Sequence, residues 1–120
     1  MQPEINSTSF GSITIAGEKY EYDVVIRQNG EVSKRKKKLS KELYGTSHKI
    51  SLAEAEHLYT PGMKALLIGS GKFGRVHLSD EAATFFREKL VTVIIKATPK
   101  AIKVWNQAED EMMGLFHVTC

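Results

Sequence analysis

The apolar run Ala65-Leu66-Leu67-Ile68 leads straight into Gly69-Ser70-Gly71-Lys72-Phe73-Gly74, a G-x-G-x-x-G string. Such a turn can cradle a pyrophosphate when its third glycine opens a helix and an acid about 20 residues further on holds a ribose. Here Arg75-Val76-His77-Leu78 read as extended chain before the next helix cap at Ser79, and Lys96 stands where the acid should be. The Walker pattern, which needs Lys-Ser or Lys-Thr after its last glycine, is also absent. No dinucleotide, and no other cofactor, is therefore expected. What the string does offer is a basic turn at the carboxyl end of a parallel strand, the usual ligand position in α/β sheets. Gly69, Gly71, Lys72 and Arg75 are accordingly candidates for receiving a small anion, although glycines that need positive φ would explain the turn equally well.

Histidine and cysteine could carry other chemistry. His48 follows Gly45-Thr46-Ser47 in a loop, while His117 and Cys120 lie three apart near the end of the chain. Neither C-x-x-C nor H-x-x-x-H spacing occurs, so no metal site is expected. A Cys120 thiolate with a histidine base is conceivable, but a terminal residue is poorly fixed for nucleophilic attack. His57 reads as a packing or solvated residue on a short helix.

Charge is concentrated in one stretch. Lys34 to Lys49 holds seven Lys or Arg against the single acid Glu42, while the rest of the chain has 10 basic and 13 acidic residues. A block like Lys34 to Lys38 can steer phosphate groups or an acidic protein face. Lysines on a sheet edge also oppose unwanted strand pairing, and only Tyr44 is at hand to stack a base, so nucleic acid is not an expected partner.

The elements that must position these groups fall into two halves. In the first, alternation of Ile13 with Ile15 and of Tyr20, Tyr22, Val24 and Ile26, with turns at Ala16-Gly17 and Asn29-Gly30, predicts an antiparallel meander whose third strand runs from Glu31 to about Lys37. A polar loop from about Leu39 to Ile50 should follow, then a short helix capped by Ser51 with Glu54 completing a capping box, stopped at Thr60-Pro61-Gly62. The second half alternates strand and helix. Lys64 to Ile68 is a strand, Ser79 caps a helix with Ala82, Phe85, Phe86 and Leu90 on its apolar face, and Thr92 to Lys96 is a strand. Thr98 with Pro99 should open a helix burying Ala101, Val104, Trp105, Ala108 and Met112, before a last strand from Leu115 to Thr119.

The fold class is therefore α/β: one three-layer domain over residues 10–120, with a mixed, mostly parallel central sheet and an added N-terminal antiparallel β-meander. Residues 1–9 should be a loose arm. With 120 residues, one domain can bury its own core, and a single cysteine leaves no internal disulfide to support it. The apolar stretches are strand-sized, well short of the roughly 20 residues of a membrane span, so no membrane association is expected. Met1 to Ser9 lacks an apolar or Arg-rich targeting pattern, which makes the cytoplasm the expected compartment.

Several strings taken together resemble the Mth-type domain family. They are Ser9-Phe10-Gly11 with Ile13, the strand ending around Asp23, Gly45-Thr46-Ser47-His48, Leu67-Ile68-Gly69-Ser70-Gly71 and the terminal Phe116-His117-Val118-Thr119-Cys120. That family includes an adipogenesis-associated protein of animals and a mitochondrial complex I assembly factor. The resemblance implies a three-layer α/β domain of no established reaction, with recurrent polar positions at Asp23, Gly45, Thr46, His48, Gly69, Gly71, His117, Thr119 and Cys120. The presequence of the assembly-factor branch is not matched here, and the Lys34 to Lys38 run belongs to none of the family strings.

Two functions from different classes follow, beside a third, weaker reading in which the Lys34 to Lys38 block contacts nucleic acid. The first is a non-enzymatic interaction or assembly module that docks an unidentified protein partner through the meander and the loop near His48. The alternative is a small-anion or nucleotide-binding domain, including an enzyme of unassigned reaction, built on the Gly69 to Gly74 turn. Convergence of Asp23, His48 and His117 beside a pocket at that turn would favour chemistry, and their dispersal would favour docking.

Overall fold

Short alternating strands separated by glycine turns open the chain. In the computed structural model, which describes residues 2–119, β1 (Ile5–Ser9), β2 (Ser12–Ile15) and β3 (Glu18–Tyr20) form an antiparallel three-stranded sheet. Ala16 and Gly17 both take positive φ, 49° and 82°, the primed geometry that lets a two-residue turn follow the twist of its strands. Residues 5–9 are thus paired strand rather than loose arm. Ile5 explains why: it lies in the core opposite Ile15, and its N–H and C=O are both bonded to the Asn106 side chain.

The chain then leaves that sheet. β4 (Val24–Ile26) and β5 (Val32–Lys34) are joined by the expected hairpin at Asn29-Gly30, but they belong to a different, five-stranded sheet. The alternating run from Tyr20 to Ile26 is therefore two strands in two sheets, broken at Glu21 to Asp23. After β5 come α1 (Lys38–Tyr44), β6 (Lys49–Ile50), α2 (Leu52–Leu58), β7 (Ala65–Ser70), β8 (His77–Leu78), α3 (Asp80–Glu88), β9 (Thr92–Lys96), α4 (Thr98–Gln107) and β10 (Met113–His117). The expected polar loop after Leu39 is in part α1. This helix has no side-chain N-cap and no acid in its first turn, and it ends at Gly45 with φ 71°.

The main sheet has the order β5-β4-β10-β7-β9. β7 runs parallel to β10 and β9, while β4 is antiparallel to β10 and β5, so the sheet is mixed and changes sense at β10. Crossovers from β7 to β9 and from β9 back to β10 move in opposite directions across the sheet. Right-handed connections then require α3 and α4 to lie on opposite faces, as they do. On one face Val25, Leu66, Ile68, Met113 and Leu115 meet Ala55 and Leu58 of α2 and Ala82 and Phe86 of α3. On the other, Val24, Ile26, Leu67 and Phe116 meet Ala101 and Trp105 of α4 and Ile5, Ile13 and Ile15 of the small sheet. These are the three layers.

Four further differences from the sequence reading are local. Leu90 is 86% exposed, because α3 ends at Glu88 and Leu90 takes φ 60° in the turn into β9. Met112 is buried but lies beyond α4, which stops at Gln107, and the last strand ends at His117 rather than Thr119. Thr98 does not cap α4. It is the first helical residue, and its hydroxyl accepts from the Gly71 N–H at 2.8 Å and donates to the His117 carbonyl at 2.7 Å.

Candidate functional site

Where β4, β5, β10, α1 and α2 meet, charged side chains are buried together. Asp23 lies just before β4 and Arg35 just after β5, held there by an Arg35 N–H to Asp23 C=O bond of 2.9 Å. The Arg35 guanidinium donates to Glu54 through Nε (2.7 Å to Oε2) and Nη2 (3.1 Å to Oε1), and to Asp23 Oδ2 through Nη1 at 2.9 Å. Its remaining Nη2 bond, 2.7 Å to the Ser47 carbonyl, pins the loop that carries His48. Glu54 also accepts from the Ser40 hydroxyl, while Ser51 caps α2 by accepting the Glu54 N–H. The capping box is thus half formed, since the Glu54 carboxylate turns to Arg35 instead of back to Ser51.

Asp23 joins this ion cluster to the chain end. His117 Nδ1 is 2.7 Å from Asp23 Oδ2, the Val118 N–H donates to Oδ1 at 3.0 Å, and His117 Nε2 is 3.1 Å from Thr119 Oγ1. Burial alone would raise the Asp23 pKa. The hydrogen bond and charge of His117, the Val118 N–H and Arg35 outweigh it and hold the carboxyl below its ordinary range. Burial would likewise lower the Arg35 pKa, but Glu54 and Asp23 raise it on balance and keep the guanidinium charged. The His48 ring stands edge-on to His117, centroids 5.4 Å apart and planes at 87°. Desolvation and the charges of His117, Arg75 and Arg35 push His48 below its usual pKa against the opposing pull of Asp23, so its ring is neutral at pH 7.

Asp23, His48 and His117 therefore converge. Thr46 supports them indirectly, its hydroxyl accepting the His48 N–H at 3.1 Å. Arg75 is exposed beyond His48, and Lys72 is exposed on the glycine turn. Gly69 serves packing rather than ligand approach, since a Cβ there would lie 2.8 Å from Phe116 Cδ1. Gly71 has φ 98°, and its N–H is taken up by Thr98. The turn thus spends backbone donors on its own fold. Cys120 lies outside the described residues. Arg35, Glu54, Ser40 and Ser51 complete the cluster without having been singled out as site residues. The one usable signal was Arg35 itself, the single arginine among the lysines of its run, and arginine is the cation suited to bidentate buried pairing.

A pocket of about 150 Å³ opens at the same end of the sheet, on the side of α4, between Thr8, Ser9, Phe10, Lys72, Pro99, Val118 and His117 of the cluster. A larger hollow of about 420 Å³ beside Trp105 is rimmed by Glu4, Glu109 and Asp110 and touches none of the buried cluster. Among the described residues no group of three His, Cys, Asp or Glu could hold a metal ion. Among the described residues no helix is long and apolar enough to cross a membrane.

Over residues 5–114 the chain matches the family described as protein of unknown function (DUF498/DUF598). It belongs to that family. A conserved hypothetical protein, PH1505 from Pyrococcus horikoshii OT3, is 31% identical to this DUF498/DUF598 chain, with a TM-score of 0.89 over 98% of this chain and 99% of that one. A structure named MT938 is also 31% identical, with a TM-score of 0.81 over 99% and 100% of the two chains. A Mth938-like domain protein from Bordetella pertussis shares the fold at 15% identity, with a TM-score of 0.64 over 97% and 85%. These relatives agree with the Mth-type resemblance. No curated protein matches the chain.

The lysine block of this family member is divided by the fold. Lys34 lies on edge strand β5, as an edge-protecting lysine should, whereas Lys36, Lys37 and Lys38 lead into α1 and Arg35 is buried. Only the exposed lysines can meet phosphate. Single-stranded RNA and duplex DNA are expected to bind weakly and without sequence preference, and a fluorescence titration should lose the signal between low and physiological salt. Tight, sequence-selective binding at the higher salt would refute this.

Proposed function

We propose that this DUF498/DUF598 domain is a protein-interaction module whose docking end is formed by the β1–β2 turn and the glycine turn. The observation that carries this reading is the exposure of two large aromatics there, Phe10 at 64% and Phe73 at 67%. Lys72 stands between them, lining the pocket with Phe10 and lying 5.9 Å from the Phe73 ring. Both turns are tied to the same strand extension, Gly11 N–H to Val118 C=O at 2.7 Å and Lys72 N–H to Thr119 C=O at 2.9 Å. Aromatic anchors on turns fixed in advance lose little entropy on binding, which is how a small interface gains affinity. The test is photo-crosslinking in cells from residues 10 and 73, with exposed Leu90 as the control position. A shared product at 10 and 73, absent at 90 and lost from position 73 when Phe10→Ser is added, is expected. Absence of any product, or equal capture at 90, would overturn the reading.

A second reading, an anion-binding domain, is favoured by the pocket beside Lys72 with the Thr8 and Ser9 side chains on its wall. Its volume of about 150 Å³ suits a small anion and not a nucleotide, whose pockets run to about 300 Å³ or more. Saturable heat with phosphate or a short carboxylate, abolished by Lys72→Ala, would support this reading over docking.

A further inference from the structure

On the other side of the same sheet end, the buried cluster carries an inference that goes beyond docking and does not depend on it. We propose that Thr119, His117 and Asp23 act as nucleophile, general base and positioning carboxylate in the hydrolysis of an ester or thioester. His117 Nδ1 faces Asp23 at 2.7 Å, and the ionised carboxylate can only accept, so Nδ1 carries the ring proton. When the ring is neutral, its Nε2 lone pair receives the Thr119 hydroxyl at 3.1 Å. A nucleophile bonded to a base that is itself oriented by a third group is the geometry that activates a hydroxyl.

Charge supports the assignment. Arg35 is held through two bonds to Glu54 and one to Asp23, so two carboxylates share one guanidinium and the cluster keeps a net negative charge to stabilise a His117 imidazolium. His117 is 3% exposed, while Thr119 is only partly buried, which shields the base and leaves the nucleophile reachable. Both lie where parallel strands β7 and β10 end, beside the glycine turn, whose Lys72 N–H bonds the Thr119 carbonyl. Arg75, whose charge acts on His48 beside His117, suits a substrate whose acyl part carries a negative charge.

In the reaction Thr119 Oγ attacks the carbonyl carbon and His117 Nε2 takes its proton. The bond from that carbon to the leaving oxygen or sulfur then breaks, and His117 protonates the departing alcohol or thiol, leaving an acyl-threonine. Water attacks this ester, gives a proton to His117, and the carboxylic acid leaves as Oγ recovers its proton. Ester and water become acid and alcohol with no change of oxidation state.

The test uses the whole chain with a fluorophosphonate and with p-nitrophenyl hydrogen succinate against p-nitrophenyl acetate. One phosphonyl adduct, mapped to Thr119 with loss of fluoride, and faster turnover of the succinate ester are expected. Thr119→Val should abolish the adduct while melting like the parent, Thr119→Ser should keep it, and His117→Gln should slow it by about 100-fold or more. Asp23→Asn should move the acidic limb of the pH–rate profile to lower pH, with recovery in Asp23→Glu, a shift that a merely structural role would not produce. No adduct, an adduct on another residue, or equal turnover by Thr119→Val would overturn the proposal. None of these outcomes touches the aromatic docking end.

Discussion

Arg35→Ala will cost about 3–5 kcal/mol of stability, the usual effect of removing one partner from a buried ion cluster. Arg35 and Glu54 side chains are fully buried and Asp23 nearly so, so the substitution leaves two carboxylates without their shared cation and out of reach of water. It also releases the Ser47 carbonyl, which unpins the loop of His48. Urea unfolding should show the loss as a lower midpoint, and amide exchange should show the loop from Gly45 to Lys49 opening first. The pH dependence has a definite sign. Asp23 is held below its unfolded pKa of about 3.9. Its contribution is therefore fully present above that value and disappears as pH falls through the lower folded value. Without Arg35 one of the groups that depress the Asp23 pKa is gone, so acid unfolding should begin at higher pH in the variant. Identical midpoints and acid transitions would show that the cluster is not holding the fold.

The second half of the chain was legible because its signals are local. β7, α3, β9 and α4 each carry their own apolar period, and Ser79 caps its helix where expected, accepting from Ala82. The first half was less so. Tyr20, Tyr22, Val24 and Ile26 alternate without interruption, yet the partners that split them between two sheets, β2 and β10, are set by distant parts of the chain. α1 carries no side-chain N-cap, and what fixes it is long-range: buried Ser40 bonding Ser51 and Glu54. The site follows the same rule. Asp23 and His117 are 94 residues apart, and no periodicity brings them together; Asp23 was reachable through family resemblance, His117 also by its residue type. Glu54 looked like half of a capping box because nothing near it in sequence says that Arg35 will claim its carboxylate.

Trp105→Ala should be of similar cost, about 3–5 kcal/mol, and for a different reason. The ring is 1% exposed and stands perpendicular to Phe116 with centroids 5.7 Å apart, directly over Gly114. The residue beneath it thus has no side chain to move into the space left by the indole. The substitution also removes the Nε1–H bond to the Pro3 carbonyl at 2.8 Å, which helps hold the segment leading into β1. Thermal unfolding should fall by roughly 10–20 °C for a domain of this size, and equal stability would mean that this face of α4 is not the core face. A cycle with Gly114→Ala separates the packing term from the rest. In the parent a Cβ at 114 would lie 2.9 Å from Trp105 Cζ3 and 2.6 Å from Phe116 Cε2, so the alanine is destabilising. With the indole gone one of those clashes is absent and the methyl group fills part of the void, so the double variant should be more stable than additivity allows. Simple addition of the two costs would instead place the two residues out of contact.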